Sequence, residues 1–268
     1  MKLRRSLLLL SLAWCFVPLA APAQTPPRPY EPIVGQEGRD VVWVPTPYVT
    51  VEKMLDVAKV TPQDFVMDLG SGDGRNIIAA AKRGARALGV EFNEELVEYS
   101  RRVAEKEGVA DKALFVQGDM YEADISKATV LALFLLPENL DKLTHKFLAL
   151  RPGTRIVVNH FWVDGWTADE TQRAEGECGS WCTVLLFIVP ANAAGNWRMP
   201  QGELKLEQKY QTVSGTLSVG NTTQITNGRL NGDRITFTAG GATYTGRVSG
   251  DTIRGDNGTW SATRIRVE

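Results

Sequence analysis

The stretch Val66-Met67-Asp68-Leu69-Gly70-Ser71-Gly72-Asp73-Gly74-Arg75 decides the fold: an apolar strand ends in a carboxylate and runs into a loop of alternating glycines. Such glycines let the backbone approach a ligand and present free N–H groups to it, and the helix that follows adds its positive end. The loop therefore suits a nucleotide-like cofactor. A dinucleotide fingerprint would need a small residue at position 75 for close packing of helix on strand, and Arg75 stands there. Asp68, shortly before the first glycine, would repel a pyrophosphate and welcome a cation. S-adenosylmethionine (SAM) carries an ammonium and a sulfonium and no phosphate, so it fits these residues better than a dinucleotide.

The same pattern recurs downstream. Arg86-Ala87-Leu88-Gly89-Val90-Glu91 reads as a second strand ending in an acid, at the sheet edge where a ribose would sit. Asn93 then caps a helix whose first turn holds Glu94 and Glu95 and whose apolar residues Leu96, Val97, Val103 and Ala104 have helical spacing. The segment Ala113 to Met120 is a third strand that reaches Asp119, and Ala128 to Leu136 is an apolar run ending at Pro137. A run apolar on both faces suits a central parallel strand. Each acid alone reads as a surface carboxylate; three at successive strand ends beside one glycine loop read as a site.

These residues resemble a known family. From about Val44 to Trp166 the chain resembles a class I SAM-dependent methyltransferase. Within that superfamily it is most similar to the protein-lysine methyltransferases that modify mitochondrial inner-membrane proteins, and to their bacterial relatives. The resemblance rests on Val44-Pro45-Thr46-Pro47, Asp68 to Arg75, Gly89-Val90-Glu91-Phe92-Asn93, Gly118-Asp119 and Phe134-Leu135-Leu136-Pro137. It implies a doubly wound Rossmann-like α/β sheet and SAM as cofactor. Asp68, Gly70, Gly72 and Gly74 would hold its methionine part, Glu91 the ribose, Asp119 would lie near the adenine and Thr46 would cover the carboxylate. Trp43 stands where relatives often have tyrosine, and Asn159-His160-Phe161 departs from the usual fifth-strand ending.

The implied chemistry is methyl transfer to a nucleophile, in which alignment and a dry site count for more than a strong base. Phe134, Pro137, His160 and Phe161 are the substrate-side candidates, with Trp162 and Trp166 as further apolar walls; core packing is the alternative for each aromatic. The Asn/Asp-Pro-Pro-aromatic signature that would bind a planar amide is missing after the fourth strand, which lowers base- and glutamine-methylating readings. A protein lysine is the expected acceptor and partner. His145 reads as a surface residue of a helix from Glu138 to Leu150, and no pair of histidines, or of histidine with cysteine, has metal-ligand spacing.

Lys2, Arg4 and Arg5 precede an apolar run from Ser6 to Val17, and Ala21-Pro22-Ala23 fits a cleavage site before Gln24. Residues 1–23 thus read as a signal peptide for export to the periplasm or beyond, leaving no transmembrane span. Its removal takes three basic residues and no acid, leaving 27 basic against 31 acidic residues and a net charge of −4. An acidic protein is a poor general binder of nucleic acid. Cys178 and Cys182 remain, and in an oxidising compartment they would pair across a Gly179-Ser180 turn, a closure that contributes about 2 kcal/mol.

Residues 24–40 read as an extended, proline-rich lead, 41–192 as the methyltransferase domain and 193–268 as a separate β domain. The last has short alternating runs such as Arg234-Ile235-Thr236-Phe237-Thr238, separated by Gly, Asn and Asp. A weak repeat, Gly228 to Ile235 against Gly246 to Ile253, puts a Gly-Asp turn between two strands in each copy. This predicts a small antiparallel β-meander or barrel, accessory or dimerising in role. SAM is made in the cytosol, so three readings stand: an active enzyme, supplied with SAM after export or retained in the cytosol; an exported non-catalytic protein binding an adenosine-like ligand; and a structural envelope protein.

Overall fold

The computed structural model describes residues 29–256 and 258–266. The expected signal peptide and the first part of the extended lead lie outside the described residues. From Glu31 onward the described residues form one compact unit built from two sheets.

In the first sheet, β1 (Phe65–Leu69), β2 (Arg86–Glu91), β3 (Ala113–Gln117), β4 (Val130–Leu133) and β5 (Arg155–Asn159) are parallel. Two further strands, β6 (Glu170–Arg173) and β7 (Thr183–Ile188), complete the order β3-β2-β1-β4-β5-β7-β6, with β7 antiparallel to both its neighbours. The order reverses between β1 and β4, and ligands bind at the carboxyl ends of strands beside such a reversal. All four residues of β4 are buried, as expected of a central strand, although the strand is shorter than the apolar run that contains it. At the opposite edge, β3 leaves Leu114 and Val116 exposed.

The helices are α1 (Tyr48–Val57), α2 (Arg75–Lys82), α3 (Glu94–Lys106) and α4 (Pro137–Leu148). Asn93 caps α3 as its position suggests, its Oδ1 accepting from the N–H of Glu95 at 2.9 Å. Pro137 opens α4 at its first turn, where its missing N–H costs nothing.

The second sheet is a closed up-and-down barrel. Its eight staves are β8 (Gly195–Met199), β9 (Gly202–Lys209), β10 (Thr212–Val219), β12 (Thr226–Asn231), β13 (Arg234–Ala239), β14 (Ala242–Ser249), β15 (Thr252–Gly255) and β16 (Ser261–Arg264). A short strand, β11 (Asn221–Gln224), pairs with the far end of β10, and β16 returns to pair with β8, which closes the ring. Closure removes the sheet edges that would otherwise recruit other strands. The two Gly-Asp repeats are the β12–β13 and β14–β15 hairpin turns, with Gly232 and Gly250 at φ 59° and 55°. Inside, Trp197, Phe237, Leu204, Leu230 and Ile253 are fully buried.

The barrel is docked on the first sheet rather than tethered to it. Trp166, expected as a substrate wall, is 2% exposed and stacks on Tyr210 of the β9–β10 turn with centroids 5.0 Å apart and planes 5° apart. Phe187 packs edge-on against it with centroids 5.4 Å apart. The Tyr210 hydroxyl donates to the Asp164 carbonyl at 3.0 Å, and Arg229 pairs with Asp169 at 2.6 Å. Tyr210→Ala should therefore destabilise the protein by about 2–3 kcal/mol in urea unfolding while leaving SAM affinity within twofold of wild type. A loss of SAM affinity matching the loss of stability would mean that the barrel shapes the cofactor site.

Candidate active site

At the carboxyl ends of β1, β2 and β4 lies a cavity of about 280 Å³. The glycine loop forms one side, and Gly70, Gly72 and Gly74 all have positive φ, between 54° and 80°. The Gly70 and Ser71 N–H groups donate to the Val90 carbonyl at 2.8 and 3.0 Å, which locks the loop to the end of β2. Gly70 and Gly72 line the cavity, but Gly74 is not among the lining residues. A Cβ at Gly74 would come within 2.6 Å of the Phe115 ring and 2.9 Å of Ser100, so this glycine is required by packing of the loop on α3 and β3.

Three carboxylates surround the loop, and their partners differ. Asp73 is neutralised by Arg75, whose Nε lies 2.9 and 3.0 Å from its two oxygens and whose Nη1 donates to the Thr46 carbonyl at 2.6 Å. Arg75 thus ties the loop to the segment before α1, a task that explains why a small residue is not found there. Glu91 accepts from the Gly72 N–H at 2.8 Å through Oε2 and from the Asn93 N–H at 2.9 Å through Oε1. Each oxygen keeps a second lone pair for a ligand. Asp68 is 3% exposed and accepts from Asn76 Nδ2 at 2.9 Å. Burial pushes its carboxyl well above the usual range; the Asn76 bond works against this, and the nearby Glu91 and Asp73 charges add to it.

Asp119 lines the cavity with Thr46 and is held below the usual carboxylate range, first by the Tyr121 N–H and then by Arg39. Arg39 Nη1 lies 2.6 Å from Asp119 Oδ2, and its guanidinium sits 4.5 Å from the centroid of the Phe92 ring. Residues from Glu37 to Thr46 line the cavity, so the end of the expected lead is part of the site. Nothing in its irregular sequence signals this. Because the Arg39–Asp119 pair is half-exposed, Arg39→Ala should weaken SAM binding only about two- to fivefold, with the loss shrinking as salt is raised. Titrations at two ionic strengths check it.

The remaining wall is aromatic. Phe134 and Phe161 line the cavity with ring centroids 6.0 Å apart, and Trp181 joins them at 5.2 Å from Phe134 and 5.9 Å from Phe161. Trp181 was not among the expected wall residues. Pro137 and His160 are not lining residues: Pro137 is taken up in the first turn of α4, and His160 packs edge-on behind Phe161 and Trp181 at 5.0 and 4.9 Å. His160 adopts φ 68°, and its buried Nδ1 has no hydrogen-bond partner. Trp162 is 59% exposed. Cys178 and Cys182 are bonded, with Cα atoms 5.0 Å apart, and the turn between them is closed by the Trp181 N–H donating to the Cys178 carbonyl at 2.8 Å.

Buried Asp68 and half-buried Glu91 are held by neutral amide and N–H donors and, among the described residues, lack a cation of their own to pair with, so a cationic ligand would favour their charged forms, and the glycine loop leaves backbone free to approach it. The residues present fit SAM on that ground. Asp68 and the loop would hold its methionine end and Glu91 its ribose. No group of three or more His, Cys, Asp or Glu among the described residues could hold a metal ion.

Comparison with known proteins agrees. The ANTKMT methyltransferase domain family matches residues 68–170. A protein-lysine N-methyltransferase of Saccharolobus islandicus is 44% identical over 153 residues, 56% of this chain and 94% of that protein. A human lysine N-methyltransferase named for an ATP synthase component is 34% identical over 56% of this chain and 70% of its own length, whereas only half of its rat counterpart is spanned. A solved structure described as an RNA methyltransferase from Salinibacter ruber, in complex with S-adenosyl-L-homocysteine, is 43% identical with a TM-score of 0.52, over 56% of this chain and 95% of that one.

Proposed function

Because the chain belongs to the SAM-dependent protein-lysine N-methyltransferase family, we propose that it transfers the SAM methyl group to the side-chain amine of a protein lysine. The observation that supports the acceptor is that one cavity is bounded both by the Asp68–Glu91 carboxylate set and by the Phe134, Phe161 and Trp181 rings. SAM, when bound, supplies an electrophilic methyl on a sulfonium. The chain's own residues do the rest. Glu91 and the glycine loop orient the cofactor, and the rings exclude water from the acceptor's path. An ammonium brought against such an apolar wall is stabilised less than in water, so it would give its proton to solvent more readily as it enters; the freed lone pair would then take the methyl as the carbon–sulfur bond breaks and S-adenosylhomocysteine leaves. The alkyl stem of lysine would pack along the ring faces.

The apolar mouth suits an acceptor in an apolar segment: Val42, Leu136 and the neighbouring Trp162 are exposed, at 55%, 36% and 59%. The test is incorporation of labelled methyl from SAM into a lysine peptide with apolar flanks, its arginine counterpart and total RNA. Label in the lysine peptide alone is expected. Label in RNA alone would overturn the acceptor and favour the activity named for the Salinibacter structure.

Export remains part of this proposal, and the Cys178–Cys182 bridge supports it, since such bonds persist in oxidising compartments. Among the described residues no helix is long and apolar enough to cross a membrane. N-terminal sequencing of the native protein should begin at Gln24; an intact Met1 would sink the export claim.

A further inference from the structure

We propose that Trp181 is a specificity-determining residue of the acceptor pocket, selecting an amine on an unbranched alkyl stem, and that the Cys178–Cys182 bridge is the device that positions it. The proposal rests on the lysine reading above.

Trp181 reaches the cavity from far along the chain. The β6–β7 ladder ends where the Ala174 N–H donates to the Cys182 carbonyl at 2.8 Å, and residues 175–181 loop out beyond that rung. Gly176 and Gly179, both at positive φ, make so short a loop flexible on its own account. The bridge removes that freedom, and its two cysteines are buried against Ala174 and Val49 of α1. The Trp181 carbonyl is then held from two further elements, accepting from Thr50 Oγ1 at 2.9 Å and from Asn159 Nδ2 at 2.8 Å. Its ring is fixed edge-on to both Phe134 and His160, at interplanar angles of 63° and 81°.

This accounts for two features the cofactor site leaves unexplained. Asn159 is fully buried at the end of β5, and its Nδ2 donates to the Trp181 and Thr183 carbonyls. His160 accepts a left-handed backbone conformation that most residues avoid, and in it the imidazole fills the space behind Phe161 and Trp181. Both serve as positioning residues for the aromatic wall. An aromatic wall of this kind favours a slender aliphatic amine, charged or neutral, over a planar polar acceptor.

The experiment measures methylation of a lysine peptide by wild type, Trp181→Ala, Trp181→Phe and the Cys178→Ser/Cys182→Ser double variant, with SAM affinity measured alongside. Trp181→Ala should raise peptide KM about tenfold, with kcat changed less than threefold and the SAM Kd within twofold. Trp181→Phe should recover most of the loss, and the double serine variant should raise KM in the same direction with SAM affinity kept. An unchanged KM in Trp181→Ala, or in the double variant, would overturn the proposal. Should wild type methylate no lysine peptide, the lysine reading fails and a second measurement decides the pocket. The tryptophans are labelled with 5-fluorotryptophan, the Trp181 resonance is assigned from Trp181→Phe, and n-butylamine is titrated in the presence of S-adenosylhomocysteine. A shift of that resonance in wild type and none in the double variant sustains the proposal; no shift in wild type ends it.

Discussion

Glu91→Ala is expected to weaken binding of SAM and of S-adenosylhomocysteine alike, each about 100-fold, because the carboxylate does two jobs at once. Toward the ligand it offers two charged acceptors to the ribose hydroxyls, and at a half-buried group such bonds contribute about 1.5 kcal/mol each. Toward the protein it accepts from Gly72 N–H and Asn93 N–H, so it joins the glycine loop to the start of α3. Alanine strands both donors. Glu91→Gln keeps the shape and one acceptor oxygen but turns the other into a donor that faces the Gly72 or Asn93 N–H, and it removes the charge from both ligand bonds, so it should lose about tenfold or more. Calorimetric titration of the three proteins with both ligands distinguishes the roles: equal losses for the two ligands follow if the ribose is the contact, because both carry it. A loss below about fivefold in Glu91→Ala, roughly 1 kcal/mol, would place the ribose elsewhere.

The cofactor half of the site is legible in the sequence because its residues sit where local rules put them. Asp68, Glu91 and Asp119 lie at or just past strand ends, and an apolar strand running into Gly70 and Gly72 is a local pattern. The acceptor half is not local. Trp181 arrives through an antiparallel excursion, β6 and β7, and then a disulfide loop, so no spacing rule links it to Phe134 or Phe161. The two cysteines were the available signal: a bridge spanning five positions fixes whatever lies between them, and Trp181 is the large side chain there. Trp166 shows the opposite error. Its sequence context places it near the substrate wall, but a docked barrel gives it a stacking partner, Tyr210, that only tertiary structure reveals. Arg39 pairs with a residue 80 positions away from within an irregular arm, where periodicity carries no information.

Asp68→Asn should separate stability from function. In the folded protein the Asp68 carboxyl is raised well above its ordinary value, chiefly by burial, with the Glu91 and Asp73 charges adding to it. A carboxyl with a raised folded pKa binds more protons folded than unfolded. Its contribution is therefore most favourable at low pH, and stability is lost as pH rises from the unfolded value of about 4 toward the folded one. Above that value the ligand-free protein carries a buried anion held by neutral donors. Asparagine keeps an acceptor for Asn76 and removes the charge, so the ligand-free variant should be the more stable protein at neutral pH and its stability should depend less on pH across that window. SAM binding should respond in the opposite sense. With wild type, affinity rises with pH through the raised pKa as the carboxylate forms, and below that pKa binding of the cationic cofactor releases a proton. With Asp68→Asn, affinity is about tenfold or more lower at neutral pH, the loss of one charged partner, and nearly flat with pH. Thermal melts of the ligand-free proteins and calorimetry in two buffers of different ionisation enthalpy measure both halves. A variant that is less stable than wild type at neutral pH, together with SAM affinity that follows pH as wild type does, would show that Asp68 is a structural strand-end acid and that the cationic end of the cofactor is held by other groups.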